Sequence, residues 1–194
     1  MDSLWFDDVE VGQKWLSPAR TLTEGDVVNF ASMTGDFNPL HVDHDYAANS
    51  IYRKPIAHGL LGLAWVAGLG STAPLMRTLA FTSVKQWEFL LPIYFGDTVH
   101  VITRCLRKTA KGKKSGQIVW ERQLVNQKDH VVQQGQFETL VAIEQTSNSD
   151  SSDLPSVDLP PIDLALPDWH SVDVSQGLQG PKFADGSLKK RVSE

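Results

Sequence analysis

The chain has a single cysteine, Cys105. That excludes an intramolecular disulfide and, with no CxxC companion, a cysteine-built zinc site, and it suits a reducing compartment. No apolar run approaches the roughly 20 residues that span a bilayer as a helix. The start Met1-Asp2-Ser3 has neither the basic n-region nor the apolar h-region of a secretory signal. A cytoplasmic protein with no membrane partner is expected. Positive charge is also scarce: 18 Lys and Arg against 23 Asp and Glu leave a formal net charge of -5, so no global field favours nucleic acid. The GxSxG nucleophile elbow is missing, as are the GxGxxG and P-loop phosphate cradles. No internal repeat is visible.

What is present describes one domain with a real core. A length of 194 residues and a hydrophobic share of 41% suffice for one such domain and are too little for two of ordinary size. Trp5, Phe6, Val9 and Val11 lead through a turn at Gly12 to a first strand over Gln13 to Thr23. Thr21 or Thr23 can cap a helix spanning about residues 24 to 34, with Glu24 and Asp26 at the positive end of its dipole. Residues 36 to 57 read as an ordered surface excursion with a short helical piece around Asp43 to Asn49, long enough to suspect function. Gly59 to Leu69 is apolar on nearly every face and predicts a helix buried on all sides, its glycines admitting close neighbours.

From Phe81 the period changes toward two. Strands are expected over Val84 to Leu91, Thr98 to Arg107, Gly116 to Asn126 and Val131 to Ile143. With no room for crossover helices they must pair antiparallel. The fold class is therefore α+β, an antiparallel sheet wrapped around a long central helix in a domain of residues 1-144. Residues 145-194, rich in Pro, Ser and Asp, lack a sustained period and are expected to form a mostly disordered tail. The turn bearing Lys108, Lys111, Lys113 and Lys114 could attract phosphates but reads as a solvated hairpin tip. Lys189-Lys190-Arg191 reads as solvated charge.

Chemistry concentrates between Gly35 and Gly59. Asp36 and His41 stand on one short segment punctuated by Pro39, where an acid and an imidazole can share proton transfer; Asp36 is expected beneath the apolar helix. On spacing alone Asp36 could equally be a turn residue and His41 a satisfied surface histidine. At the predicted helix start the Gly59 amide is an unpaired donor that can hold an oxygen gaining negative charge; equally, the glycine serves only to relieve crowding there. His41, His44 and His58 match no familiar zinc spacing, so no metal is expected.

The run Gly35-Asp36-Phe37-Asn38-Pro39-Leu40-His41-Val42-Asp43, then Ala47-Ala48, then Lys54-Pro55-Ile56-Ala57-His58-Gly59-Leu60, resembles the hydratase motif of (R)-specific enoyl-CoA hydratases and MaoC-like dehydratases. Phe89-Leu90-Leu91-Pro92-Ile93-Tyr94-Phe95-Gly96-Asp97 is similar to that family's F-x-x-P-V-x-x-G-D turn. The resemblance covers roughly residues 8 to 143 and implies a single hot-dog domain that works as a homodimer or a double hot dog. It implies reversible hydration of a trans-2-enoyl-CoA to an (R)-3-hydroxyacyl-CoA, a step of fatty acid metabolism. Asp36 and His41 would activate the water, with Asp36 delivering the proton to the α-carbon. The Gly59 amide would form the oxyanion hole, Asn38 would orient the motif, Pro39 would stiffen it, and His58 would support it. No metal or redox cofactor is implied, coenzyme A being part of the substrate.

Leu63, Trp65, Ala67 and Trp87, with Met76, are candidates for shaping the acyl pocket. Several family members carry a hydroxyl residue where this chain has Ala67, with Ser71 one turn further. Two rivals follow: a 3-hydroxyacyl-[acyl carrier protein] dehydratase, and a non-catalytic acyl-thioester-binding subunit of the same fold.

Overall fold

A computed structural model describes residues 3-144; the tail expected over 145-194 lies outside the described residues. The chain begins on the sheet, with β1 (Lys14–Leu16) and β2 (Arg20–Thr21). Where one strand over Gln13 to Thr23 was expected, two short ones pair in succession with the same neighbour. Pro18 separates them, and a proline has no N–H to give to a ladder. The Ser17 hydroxyl fills part of the gap by accepting from Val101 N–H at 2.8 Å.

Helix α1 (Glu24–Thr34) starts on Thr23 through a capping box, in which the Thr23 hydroxyl accepts from Asp26 N–H and the Asp26 carboxylate accepts from Thr23 N–H. Such reciprocal caps satisfy two orphan donors at once. Gly35 ends the helix at φ 78, the left-handed conformation glycine adopts without strain. Two short helices follow, α2 (Pro39–Val42) and α3 (His44–Ala48), then the central helix α4 (Gly59–Gly70).

Four long strands complete the domain: β3 (Thr78–Phe89), β4 (Thr98–Ala110), β5 (Ser115–Asn126) and β6 (Val131–Ala142). The sheet order is β1-β4-β5-β6-β3, with β2 also on β4, and every pairing is antiparallel. Strand β3 begins at Thr78, ahead of the expected Val84. Its register against β6 slips three times, which scatters the period-two signal that a regular strand shows in sequence.

Residues of one parity on β5 and β6 face α4. Trp120, Leu124, Phe137 and Val141 join Leu61, Trp65 and Val66 in the core. This is the hot-dog arrangement, a sheet wrapped around one helix. The helix is not covered on all sides, however. Leu61, Gly62, Trp65, Val66 and Gly70 are buried, while Leu60, Ala64 and Gly68, each four residues from the next, are exposed. One sheet covers one side of a cylinder, so an apolar sequence alone cannot bury the other.

Candidate functional site

The excursion between α1 and α4 is shaped by short-range capping. Asn38 caps α2, its side-chain oxygen accepting from Leu40 N–H at 3.0 Å, with Pro39 at the first helical position, where a missing N–H costs nothing and φ is already set. Asp36 Oδ1 accepts from Asn38 N–H at 3.2 Å. The far end of the segment is tied to the turn before β4, where Ala57 N–H donates to the Ile93 carbonyl at 2.8 Å.

Two histidines close the loop on itself. His41 Nδ1 lies 2.8 Å from the Ile56 carbonyl. A carbonyl only accepts, so Nδ1 carries the proton and Nε2 presents a lone pair. His58, only 2% exposed, places Nε2 at 2.9 Å from the Asp36 carbonyl, which assigns its proton likewise and leaves Nδ1 buried without a hydrogen-bond partner among the described residues. The two rings stack with centroids 3.8 Å apart, and Phe30 packs against His58 at 5.0 Å. His58 Nε2 is also 3.9 Å from Asp36 Oδ2.

Burial pushes the His41 pKa below its ordinary value, and the neighbouring His58 adds to that push; the Ile56 carbonyl and Asp36 oppose it without reversing it. His41 is therefore a neutral imidazole near pH 7. Asp36 is 54% exposed at its side chain, so the cover expected from the apolar helix is absent: the loop carries it past the helix end.

Gly59 is the first residue of α4, and its N–H is among those that a helix leaves without an intrahelical partner. Its carbonyl accepts from Gln133 Nε2 at 3.0 Å. A Cβ here would stand 2.9 Å from the Phe89 ring. His41, Gly59, Tyr52, Ile56, Phe89 and Gln133 line one cavity of about 330 Å³.

Of the residues expected to shape an acyl pocket, none lines this cavity. Trp65 is buried in the core under the Arg20 guanidinium, 4.3 Å from its ring, and Leu63 packs on the same core. Trp87 stacks edge-on against Phe137 at 5.4 Å. Ala67 lines a second cavity, together with Ser71 and Met76. Sequence reading passed over Gln133 and Tyr52, and held Phe89 only as part of the family's turn. Gln133 had a signal: it is a polar residue on the core parity of β6. The lysine turn between β4 and β5 is remote, since Ser115 stands nine residues along β5 from Leu124, the partner of Gln133, about 30 Å at the antiparallel rise.

Asp36, His41 and His58 can each offer one atom within 4.8 Å of the others. One nitrogen of each ring is already committed, His41 Nδ1 to the Ile56 carbonyl and His58 Nε2 to the Asp36 carbonyl. The three residues suit the holding of a water and its protons.

Residues 8–126 match the family model described as MaoC like domain. The chain is 37% identical over 111 residues to Protein MaoC of Klebsiella aerogenes, covering 57% of this chain and 33% of that protein. It is 34% identical over 96 residues to the (R)-specific enoyl-CoA hydratase of Rhodospirillum rubrum, covering 49% and 65%. The chain thus spans less than two thirds of the length of either relative. Among solved structures, a monoamine oxidase regulatory protein from Archaeoglobus superposes with a TM-score of 0.69 at 30% identity, covering 74% of this chain and 97% of that one. With the family model matched over more than half its length, and with its helix-in-sheet architecture, this chain belongs to the MaoC-like hydratase/dehydratase family.

Proposed function

We propose that the protein is a hydro-lyase that reversibly hydrates a trans-2-enoyl-CoA to an (R)-3-hydroxyacyl-CoA. The observation that carries this reading is the state of His41: neutral, with Nδ1–H given to the Ile56 carbonyl, and lining a cavity with the head of α4. A base so oriented can take a proton from water at neutral pH. The thioester carbonyl accepts from Gly59 N–H, which stabilises the enolate-like transition state. A water held by Asp36 and His41 loses one proton to His41 Nε2 as its oxygen bonds to the β-carbon. That proton passes from His41 to the Asp36 carboxylate, which delivers it to the α-carbon and returns to its ionised state. Asn38, Pro39 and His58 hold the loop in place. The steps use side chains and one backbone amide, with no cofactor beyond the coenzyme A of the substrate.

Ala67, the residue that favours a non-catalytic acyl-binding role, lines a different cavity from His41, and the Asp36 carboxylate has Asn38 N–H as a donor. A hydroxyl at position 67 is therefore dispensable to Asp36 within this chain. A second copy of the chain is the partner we assign to β3. This 12-residue strand ends the sheet order, and Phe81, Phe89, Leu90 and Leu91 along and beyond it are exposed. A long apolar sheet edge left open invites pairing. No helix among the described residues is long and apolar enough to cross a membrane; on the single, buried Cys105 we assign the protein to the cytoplasm.

The test is the loss of enoyl-thioester ultraviolet absorbance when the purified protein meets crotonyl-CoA and longer enoyl-CoAs, beside the same acyl groups on an acyl carrier protein. Asp36→Asn and His41→Ala should each lower kcat by at least about 100-fold, the lower range for a general acid or base. Turnover that survives both substitutions refutes the mechanism. Turnover of carrier-protein thioesters alone replaces coenzyme A as the substrate's carrier.

A further inference from the structure

A second polar residue stands on the core parity of the sheet. Arg122, on β5, is 7% exposed and lies beneath the C-terminal half of α4. Its Nη2 donates to the Gly70 carbonyl at 2.9 Å and its Nη1 to the Val66 carbonyl at 3.4 Å. The guanidinium fits so tightly under the helix that a Cβ at Gly70 would come within 2.9 Å of three of its atoms. Burial lowers its pKa to about 10, and it remains a cation at neutral pH.

Helix-end carbonyls attract a cation, and capping accounts for two of the five N–H bonds of the fork. The guanidinium also lies over the Phe137 ring, 4.8 Å from its centroid, yet neither contact supplies a counter-anion. Arg122 forms no ion pair among the described residues, and its Nε is buried without a partner. Alternation explains this, because the neighbouring Glu121 is on the opposite parity, where it pairs with Arg104 at 2.9 Å. A buried cation without a counter-anion is costly unless an anion arrives.

The same guanidinium lines the second cavity, about 240 Å³, with Ala67, Met76, Phe81, Trp120 and Thr139 among the other walls. Thr139 Oγ1 accepts from Trp120 Nε1 at 2.8 Å. A hydroxyl that accepts still has its own proton to give. Arg122 and Thr139 thus line one cavity, with Ser71 and Thr78 as its other polar residues and hydrocarbon over most of the remaining wall. A phosphate, with its several charged oxygens, would need more donors; a planar carboxylate on a hydrocarbon chain matches the fork and the walls.

We propose that this cavity is a carboxylate subsite, with Arg122 and Thr139 holding the carboxylate and Ala67, Met76, Phe81 and Trp120 packing on its hydrocarbon part. The carboxylate comes from one of two sources: a free short-chain acid, or the far end of a dicarboxylic acyl thioester whose carbonyl sits at Gly59. The second source rests on the hydratase reading. Gly59 and Gly70 are the two ends of α4, eleven residues or about 16 Å of helix rise apart.

The test is isothermal calorimetry of the full chain with pentanoate and with pentanamide, its uncharged analogue. Pentanoate should bind saturably and at least about tenfold more tightly than the amide, the factor that 1.4 kcal/mol represents. Arg122→Lys and Thr139→Val should each weaken pentanoate binding. Should removing the guanidinium unfold the protein, Ala67→Leu, which fills the cavity, replaces it and should abolish binding. Equal binding of acid and amide, no saturable binding of pentanoate, or binding that survives Ala67→Leu overturns the subsite.

The source is read from hydration of two 2-enoyl-CoAs of equal length, one ending in a carboxylate. A kcat/KM at least about tenfold higher for the carboxylated one, with the preference erased in Arg122→Lys, assigns the subsite to the substrate. Pentanoate binding without that preference assigns it to a free acid. If no enoyl thioester reacts, the hydratase reading falls while the calorimetry still decides the subsite.

Discussion

Two glycines of α4 give a paired test of how the helix meets the sheet. At Gly62 an added Cβ would stand 2.2 Å from Gln133 Nε2, 2.9 Å from its Cδ and 3.0 Å from its Oε1. A glutamine end is normally easy to displace. This one is buried at 2% exposure, gives Nε2–H to the Gly59 carbonyl and accepts Trp87 Nε1–H at 3.3 Å. Gly62→Ala therefore gains about 1 kcal/mol of helix propensity. Against it stand two hydrogen bonds at roughly 0.5–1.5 kcal/mol each, and about 1–3 kcal/mol if the displaced amide is left unsatisfied. With the amide left unsatisfied the net expectation is a destabilisation of about 1–5 kcal/mol. At Gly68 an added Cβ meets nothing within 4 Å, and the position is exposed, so Gly68→Ala should stabilise by up to about 1 kcal/mol. Urea unfolding of the two variants beside the parent measures both. If Gly62→Ala is as stable as the parent, or if the two substitutions act in the same direction, the account of Gln133 as a wedge between α4 and β6 is wrong.

Two further outcomes follow from the site and the sheet edge. Because the His41 pKa lies below its ordinary 6.5, the unfolded chain binds that proton at higher pH than the folded one. The contribution of His41 to stability is then full above about 6.5 and is lost as pH falls through the folded value. Its titration, followed by proton resonance of the ring, should have a midpoint under 6.5, and the acid limb of kcat/KM should fall there too; a midpoint above 6.5 contradicts the burial argument. Sedimentation should give a dimer, and Val84→Lys, on the open edge strand, should shift it toward monomer without changing the far-ultraviolet circular dichroism. A monomeric parent removes the assignment of β3 as the pairing edge.

Much of the architecture was legible one residue at a time. Thr23 and Asp26 mark the start of α1 and Gly35 its end, because capping is local chemistry. Gly59 opens α4 where the apolar run begins. The turns between β4, β5 and β6 carry their own glycine, lysine and aspartate signals. The first strand was misread through Pro18, whose effect appears only once the partner ladder on β4 is known. Strand β3 was begun late because its slips against β6 break the alternation.

The site divides in the same way. The chain alone determined that Asp36, Asn38, Pro39 and His41 share one short segment and that Gly59 heads a helix, while the helix α2 over Pro39–Val42 and its Asn38 cap came only with the structure. Only the tertiary structure decided which nitrogen of His41 is free, because that is set by the carbonyl of Ile56, fifteen residues away. It also decided that Trp65 and Trp87 serve the core, and that Gln133 and Arg122 reach α4 from two neighbouring strands. Parity along a strand shows that a residue faces inward; what it meets there depends on register between strands, which is fixed by packing over the whole sheet.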